Sequence, residues 1–166
     1  MRVLLQASVL LIGLITSHLL MAQTVVTFSP EKAMFATQAA QQLGQQLNQQ
    51  LAPQTQRLQE LGVEIQALQQ RHQQDQALMS SDEVQALEQE IQLQSQEYRK
   101  LQQYINNAKV QTEQKFLASM KPRLDAVLRT YIETNNVGLI VNSSAVIYAA
   151  QGVDITAEVV TLLDQE

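Results

Sequence analysis

Side chains able to do chemistry are few in this chain, and their spacing is poor. It has two histidines and no cysteine. His18 falls inside an apolar leader, which leaves His72 alone. One imidazole cannot build a multi-histidine metal site, and Cys/His nucleophilic catalysis has no nucleophile. Ser143-Ser144 offers hydroxyls with no base in sequence reach, and Asn142-Ser143-Ser144 has the composition of a turn. Glu88 and Glu90 stand two apart in a helical pattern, so their carboxylates point in different directions and cannot divide acid and base roles. Neither a phosphate loop nor a dinucleotide fingerprint occurs. The expectation is a protein that is not an enzyme and takes no cofactor or metal.

Charge narrows the partners. The chain carries 11 Lys+Arg against 16 Asp+Glu, a formal net charge of −5; without Arg2 in the leader it becomes −6. The basic residues that stand together are only Arg99-Lys100 and Lys121 with Arg123, too few for a phosphate-backbone footprint, so nucleic acid is not an expected partner. From Asp75 to Glu97 every charged side chain is acidic. A surface built from that stretch repels anionic lipid headgroups.

The elements that would position these groups begin with two apolar stripes. Running back from the polar turn Ser80-Ser81-Asp82-Glu83, Met79, Asp75, His72, Leu68, Ile65, Leu61 and Leu58 alternate steps of four and three. Running forward, Val84, Leu87, Ile91, Gln94, Tyr98, Leu101 and Ile105 alternate three and four, which is the coiled-coil period. Folding at the turn sets Met79 opposite Val84, His72 opposite Ile91, Ile65 opposite Tyr98 and Leu58 opposite Ile105. The pattern predicts a long antiparallel coiled-coil hairpin over 54–118, a tentacle with its tip near 80–83. Its ascending helix from Gln54 to Met79 would be about 40 Å long at ~1.5 Å per residue. Ser80 and Glu83 fit a capping box that starts the second helix. Asp75, His72 and Gln94 in the seam weaken it while fixing its register.

The remaining chain, 23–53 and 119–166, reads as a body at the root of the arm. Residues 1–22 have the pattern of a secretory signal peptide with cleavage after Ala22, although the large Leu20 leaves an uncleaved anchor as the alternative. Export without cysteine favours a bacterial periplasm. Thr24 to Phe28 reads as a strand, Ser29-Pro30 as a helix start, and Met34 to Leu51 as helix up to Pro53. Pro122 interrupts the return helix in the same way. Asn135-Asn136 suits a left-handed helix end, and Leu139–Val141 and Ala145–Ala149 read as a β-hairpin. Thr156 is the expected N-cap of a last helix. The fold class is therefore mainly α with a small β body. Val25, Val26, Phe28, Leu139, Ile140, Val141, Val146, Ile147 and Tyr148 make the strands apolar on both faces, so several copies are expected to pool them in one oligomerisation body.

Val137-Gly138-Leu139-Ile140-Val141-Asn142, Ala145-Val146-Ile147-Tyr148 and Val153-Asp154-Ile155-Thr156-Ala157-Glu158-Val159 resemble the C-terminal signature of the Skp/OmpH-like periplasmic chaperones. The order of elements over the whole chain beyond the leader is similar as well. The resemblance implies a jellyfish-like homotrimer whose tentacles enclose unfolded outer-membrane β-barrel proteins on their way to the outer membrane, without ATP. The best-known members are basic, with positive tentacles that meet anionic membranes and lipopolysaccharide. The acidic tip here departs from that pattern, so lipopolysaccharide and anionic membrane binding do not carry over.

Two non-enzymatic classes remain. A holdase needs a diffuse apolar lining, to which Leu78, Met79, Tyr98, Tyr104 and Phe116 could contribute as client contacts. The alternative, a structural coiled-coil adaptor of the cell envelope, needs a concentrated hot spot for specific folded partners. Unfolded barrels are commonly acidic, so steering at this tip would be weak and capture would rely on apolar contact.

Overall fold

The structure, a computed structural model, describes residues 24–165; the expected leader lies outside them. Among the described residues no helix is long and apolar enough to cross a membrane. The order is β1 (Thr24–Phe28), α1 (Pro30–Ala36), α2 (Gln38–Asp75), a 3-10 turn (Gln76–Leu78), α3 (Ser81–Asn135), β2 (Val137–Asn142), a second 3-10 turn (Ser143–Ala145) and α4 (Thr156–Gln165). Among the described residues the protein is mostly helical, with one small two-stranded parallel sheet.

The apolar stripes become the facing sides of α2 and α3. From Leu58 to Met79 and from Val84 to Ile105, every stripe residue is buried or half-buried; all others in those spans are exposed except Gly62 and Ser95. Phe35 stacks on Phe116, Gly62 lies against Tyr98, and His72 reaches Glu88, so α3 is met in descending order as the chain ascends. At ~1.5 Å per residue the 38 residues of α2 span about 57 Å and the 55 of α3 about 82 Å. A Cβ added at Gly62 would sit 3.7 Å from Tyr98 Cε2, an ordinary contact. Gly62→Ala should therefore raise stability by about 1 kcal/mol through helix propensity alone, read as a higher urea midpoint.

Both prolines behave differently from expectation. Pro53 lies inside α2 and Pro122 inside α3, and neither ends its helix. Each removes one ladder bond, to the carbonyl of Gln49 or Ala118. All four positions are exposed, so water can satisfy the freed carbonyls. The real interruption is Thr37, inside the span expected to be one helix. Its backbone is extended, its hydroxyl donates to the Met34 carbonyl at 2.7 Å, and the same oxygen accepts the Ala40 N–H at 3.2 Å. That arrangement closes α1 and caps α2 at one residue.

The expected β-hairpin is replaced by another topology. β2 pairs in parallel with β1, Val25 beside Leu139, Val26 beside Ile140 and Thr27 beside Val141. The other edge of β1 is taken by Val153–Ile155: the Thr27 N–H donates to the Val153 carbonyl at 2.8 Å, and the Ile155 N–H donates to the Thr27 carbonyl at 3.0 Å. Asn142 Oδ1 accepts from the Ser144 N–H at 2.9 Å and turns the chain into the 3-10 segment, so 146–149 forms no strand. Asn136 takes the expected left-handed conformation, φ 51° and ψ 44°, at the end of α3.

The core of the root gathers Val26, Phe28, Ala33, Met34, Met120, Leu124, Val127, Ile155, Val159 and Leu163. Ile155, Val159 and Leu163 recur every four residues and give α4 one buried stripe. Polar bonds clasp this short helix at both ends. Thr156 Oγ1 accepts from the Ser29 N–H at 3.1 Å, Asp164 Oδ1 accepts from the Gln38 N–H at 2.9 Å, and the Arg123 guanidinium donates to the Leu163 carbonyl at 3.1 Å. Asp164 thus serves the first turn of α2, and Arg123 serves the last turn of α4.

Candidate functional site

Two surfaces come from the residues singled out by the sequence: the outside of the sheet and the length of the paired helices. On the sheet, alternation sorts the residues. Val26 and Phe28 face inward and belong to the chain's own core, so they are not available to a neighbour. Val25 and Leu139, a register pair, face outward and are more than half exposed, while Ile140, Val141 and Val146 are half-buried. Ile147 is 106% exposed and Tyr148 82%. The structure therefore divides the nine expected oligomerisation residues into an inner set and an outer one.

Along the arm, Leu78 is 88% exposed on the 3-10 turn, Tyr104 is exposed, and Met79 and Tyr98 are half-buried in the seam. Phe116, expected at the same surface, lies in the root core with its ring 6.0 Å from that of Phe35. It is a packing residue that keeps one side on a surface groove. Sequence periodicity missed Val63, Leu93 and Val110, which are at least half exposed. They stand outside the stripe, and apolar residues outside a well-formed stripe were the available signal. Leu93 and Tyr104 are three turns apart on one face of α3, separated by Glu97 and Lys100.

The polar groups of the arm hold geometry rather than perform chemistry. Arg57 reaches Glu97 at 3.2 Å across the pair and Glu64 at 3.4 Å on its own helix. The hydrogen bond to Glu97 is the main reason its pKa lies above the ordinary value. His72 Nε2 lies 3.3 Å from Glu88 Oε1, so the seam imidazole turns outward to a carboxylate instead of packing on Ile91 alone. Among the described residues no cluster of three metal-ligating side chains occurs.

Two carboxylates hold helix starts. The capping box forms as expected: the Ser80 N–H donates to Glu83 Oε2 at 2.8 Å, and the Glu83 N–H donates to Ser80 Oγ at 3.4 Å. The Ser80 backbone donor, followed by its hydroxyl, pulls the Glu83 pKa below 4.5. At α4, Thr156 is the first helical residue rather than its cap. Asp154 accepts from both the Thr156 hydroxyl and its N–H, and these bonds pull its pKa below 3.8. Both groups titrate lower in the folded chain than in the unfolded one. Their contribution is therefore complete above their ordinary values and is lost as pH falls through the lowered ones. The urea midpoint should drop below about pH 4, and Glu83→Gln with Asp154→Asn should flatten that drop. An unchanged slope in the double variant would assign the acid sensitivity elsewhere.

Comparisons with known proteins agree with this arrangement. The family described as outer membrane protein (OmpH-like) matches residues 24–163. No curated protein matches. A solved structure from Caulobacter crescentus, described as an OmpH-like outer membrane chaperone, has the same fold with a TM-score of 0.57 and 19% sequence identity, covering 86% of this chain and 85% of its own. Neither that family nor this neighbour is enzymatic, in agreement with the reading of the side chains. With a match running from β1 into the last helix, the chain belongs to the OmpH-like family.

Proposed function

We propose that this protein is an ATP-independent holdase chaperone of the periplasm, which binds unfolded outer-membrane β-barrel proteins and prevents their aggregation in transit. The observation that carries the proposal is the scatter of exposed apolar side chains along a long paired-helix arm: Val63, Leu78, Leu93, Tyr104 and Val110. They are spread over both helices and the tip, with charged and glutamine side chains between them. A diffuse lining binds many unfolded segments weakly, whereas an adaptor needs a concentrated anchor. Family membership and the chaperone description of the structural neighbour support the same reading.

In this proposal the arm is an antiparallel coiled coil over 54–118, carried on a body of 23–53 and 119–166. Three copies assemble through the outward set Val25, Leu139, Ile147 and Tyr148, and their arms enclose the client. Leu78 and Tyr104 make client contacts, aided by Met79 and Tyr98. The experiment dilutes a urea-unfolded β-barrel into buffer with and without the protein and follows light scattering. Suppression at a few-fold molar excess is expected, with no dependence on ATP; undiminished aggregation would sink the holdase reading.

A further inference from the structure

Charge is sorted along the arm. From Leu58 to Tyr98 the chain has eight carboxylates (Glu60, Glu64, Asp75, Asp82, Glu83, Glu88, Glu90 and Glu97) and one cation, Arg71. From Arg99 to the end of α3 at Asn135 it has seven cations against Glu113, Asp125 and Glu133. The tip half is acidic, and the half of α3 returning to the root is basic.

Within the basic half, α1, the start of α2 and α3 leave a groove of about 360 Å³. Leu43, Leu47 and the stacked rings of Phe35 and Phe116 supply its apolar walls. Gly44 opens it further, since a Cβ there would meet nothing within 4 Å. Lys109 stands on its rim, with Glu113 one turn nearer the root. The ion pairs among the described residues are made by Arg57 and His72, leaving the Lys109 ammonium without a carboxylate partner there. The cleft thus joins an aromatic face to a lysine that makes no ion pair, with the Glu113 carboxylate at the root end of the same lining.

We propose that this groove is a subsite for an aromatic side chain flanked by a carboxylate in an unfolded barrel segment, with the ring against Phe35 and Phe116 and the carboxylate on Lys109. The proposal rests on the client class given above. Barrel strands carry girdles of aromatic residues at both membrane interfaces, so such segments recur in every client of that class. Aromatic rings bury large areas and prefer offset stacking on other rings, which the Phe35–Phe116 pair offers. The acidic tips repel a client carboxylate while the basic half attracts it, so charge complementarity draws the segment to the base of the arm.

The test uses the full mature chain and a fluorescent ten-residue peptide with phenylalanine beside aspartate, and anisotropy reads its affinity. Replacing the phenylalanine by alanine, or filling the cleft with Gly44→Leu, should each weaken binding by about tenfold or more. Lys109→Glu should reverse the preference between the aspartate peptide and its lysine counterpart. It also decides the case if Gly44→Leu proves unfolded by its thermal transition. Equal affinity for both peptides, or affinity untouched by either substitution, overturns the subsite. A Gly44→Leu chain that is folded but changes its sedimentation coefficient overturns it too, because a second copy then covers the cleft. Suppression of whole-barrel aggregation is followed in parallel: its absence from the parent protein defeats the client class, while its persistence beside indifferent peptide binding defeats the groove alone.

Discussion

Replacing Val159 by aspartate should unfold the root. Val159 is 0% exposed and sits in the middle of the α4 stripe between Ile155 and Leu163, both 1% exposed. A carboxylate there would be buried with no partner, at a cost of at least about 4 kcal/mol. The whole stability of a domain this size is on the order of 5–15 kcal/mol, so most of it would be gone. Leu163→Ala should cost about 2–5 kcal/mol by removing side-chain volume without adding charge. The damage should spread beyond α4, since Val153–Ile155 forms one edge of the sheet and Asp164 serves the first turn of α2. Urea unfolding followed by circular dichroism would measure both. Thr161→Ala, on the exposed side of the same helix, should stay within about 0.5 kcal/mol of the parent. Equal, small effects from all three would mean that α4 is not a structural clasp.

In the assembly proposed above, Ile147→Asp combined with Tyr148→Asp should convert the trimer to single chains without unfolding each one. Both side chains stand clear of their own chain. Ordinarily, exposing two such residues costs nothing locally; burying them against a second copy stabilises by about 1.5–3 kcal/mol each. The paired substitution should therefore raise the dissociation constant by roughly 10²–10⁴-fold. Sedimentation velocity at micromolar concentration would show the shift from an assembled species to one of about a single chain's mass. Thermal unfolding measured beside it should still show a cooperative helical transition, because neither side chain packs on its own chain. A variant that sediments like its parent would exclude this segment from the interface, and a monomeric parent would overturn the assembly itself.

The long helices and their buried stripes were legible because the signal is local and repeated. Leu58, Leu61, Ile65 and Leu68 on one side, and Val84, Leu87, Ile91 and Leu101 on the other, each report the same period, and no distant contact is needed to read it. The capping box at Ser80 and the left-handed Asn136 were legible for the same reason: each is satisfied by neighbours within four residues. The prolines misled because a cost of about 3 kcal/mol each need not end a helix that is buried along a stripe on both sides of the proline, and that burial is a property of packing. Thr37 was invisible because its neighbours are helix formers; part of what holds the break, Asp164 on the Gln38 N–H, comes from the other end of the chain. Ala145–Ala149 was given a strand on its β-favouring composition. Composition does not say which edge is free, and the edge of β1 is held by Val153–Ile155.

By itself, the sequence determined the long helices, their buried stripes and the run from Asp75 to Glu97 whose charges are all acidic, all consequences of residue type at short spacing. Tertiary structure alone decided which strand lies beside which, that Phe116 packs under Phe35, and that α4 clasps the starts of α1 and α2. It also brought Phe35, Gly44 and Lys109 to one groove. These are pairings between residues up to 127 positions apart. Helical periodicity is set by 3.6 residues per turn and can be read in a short window, whereas such pairings depend on which burial lowers the free energy of the whole chain.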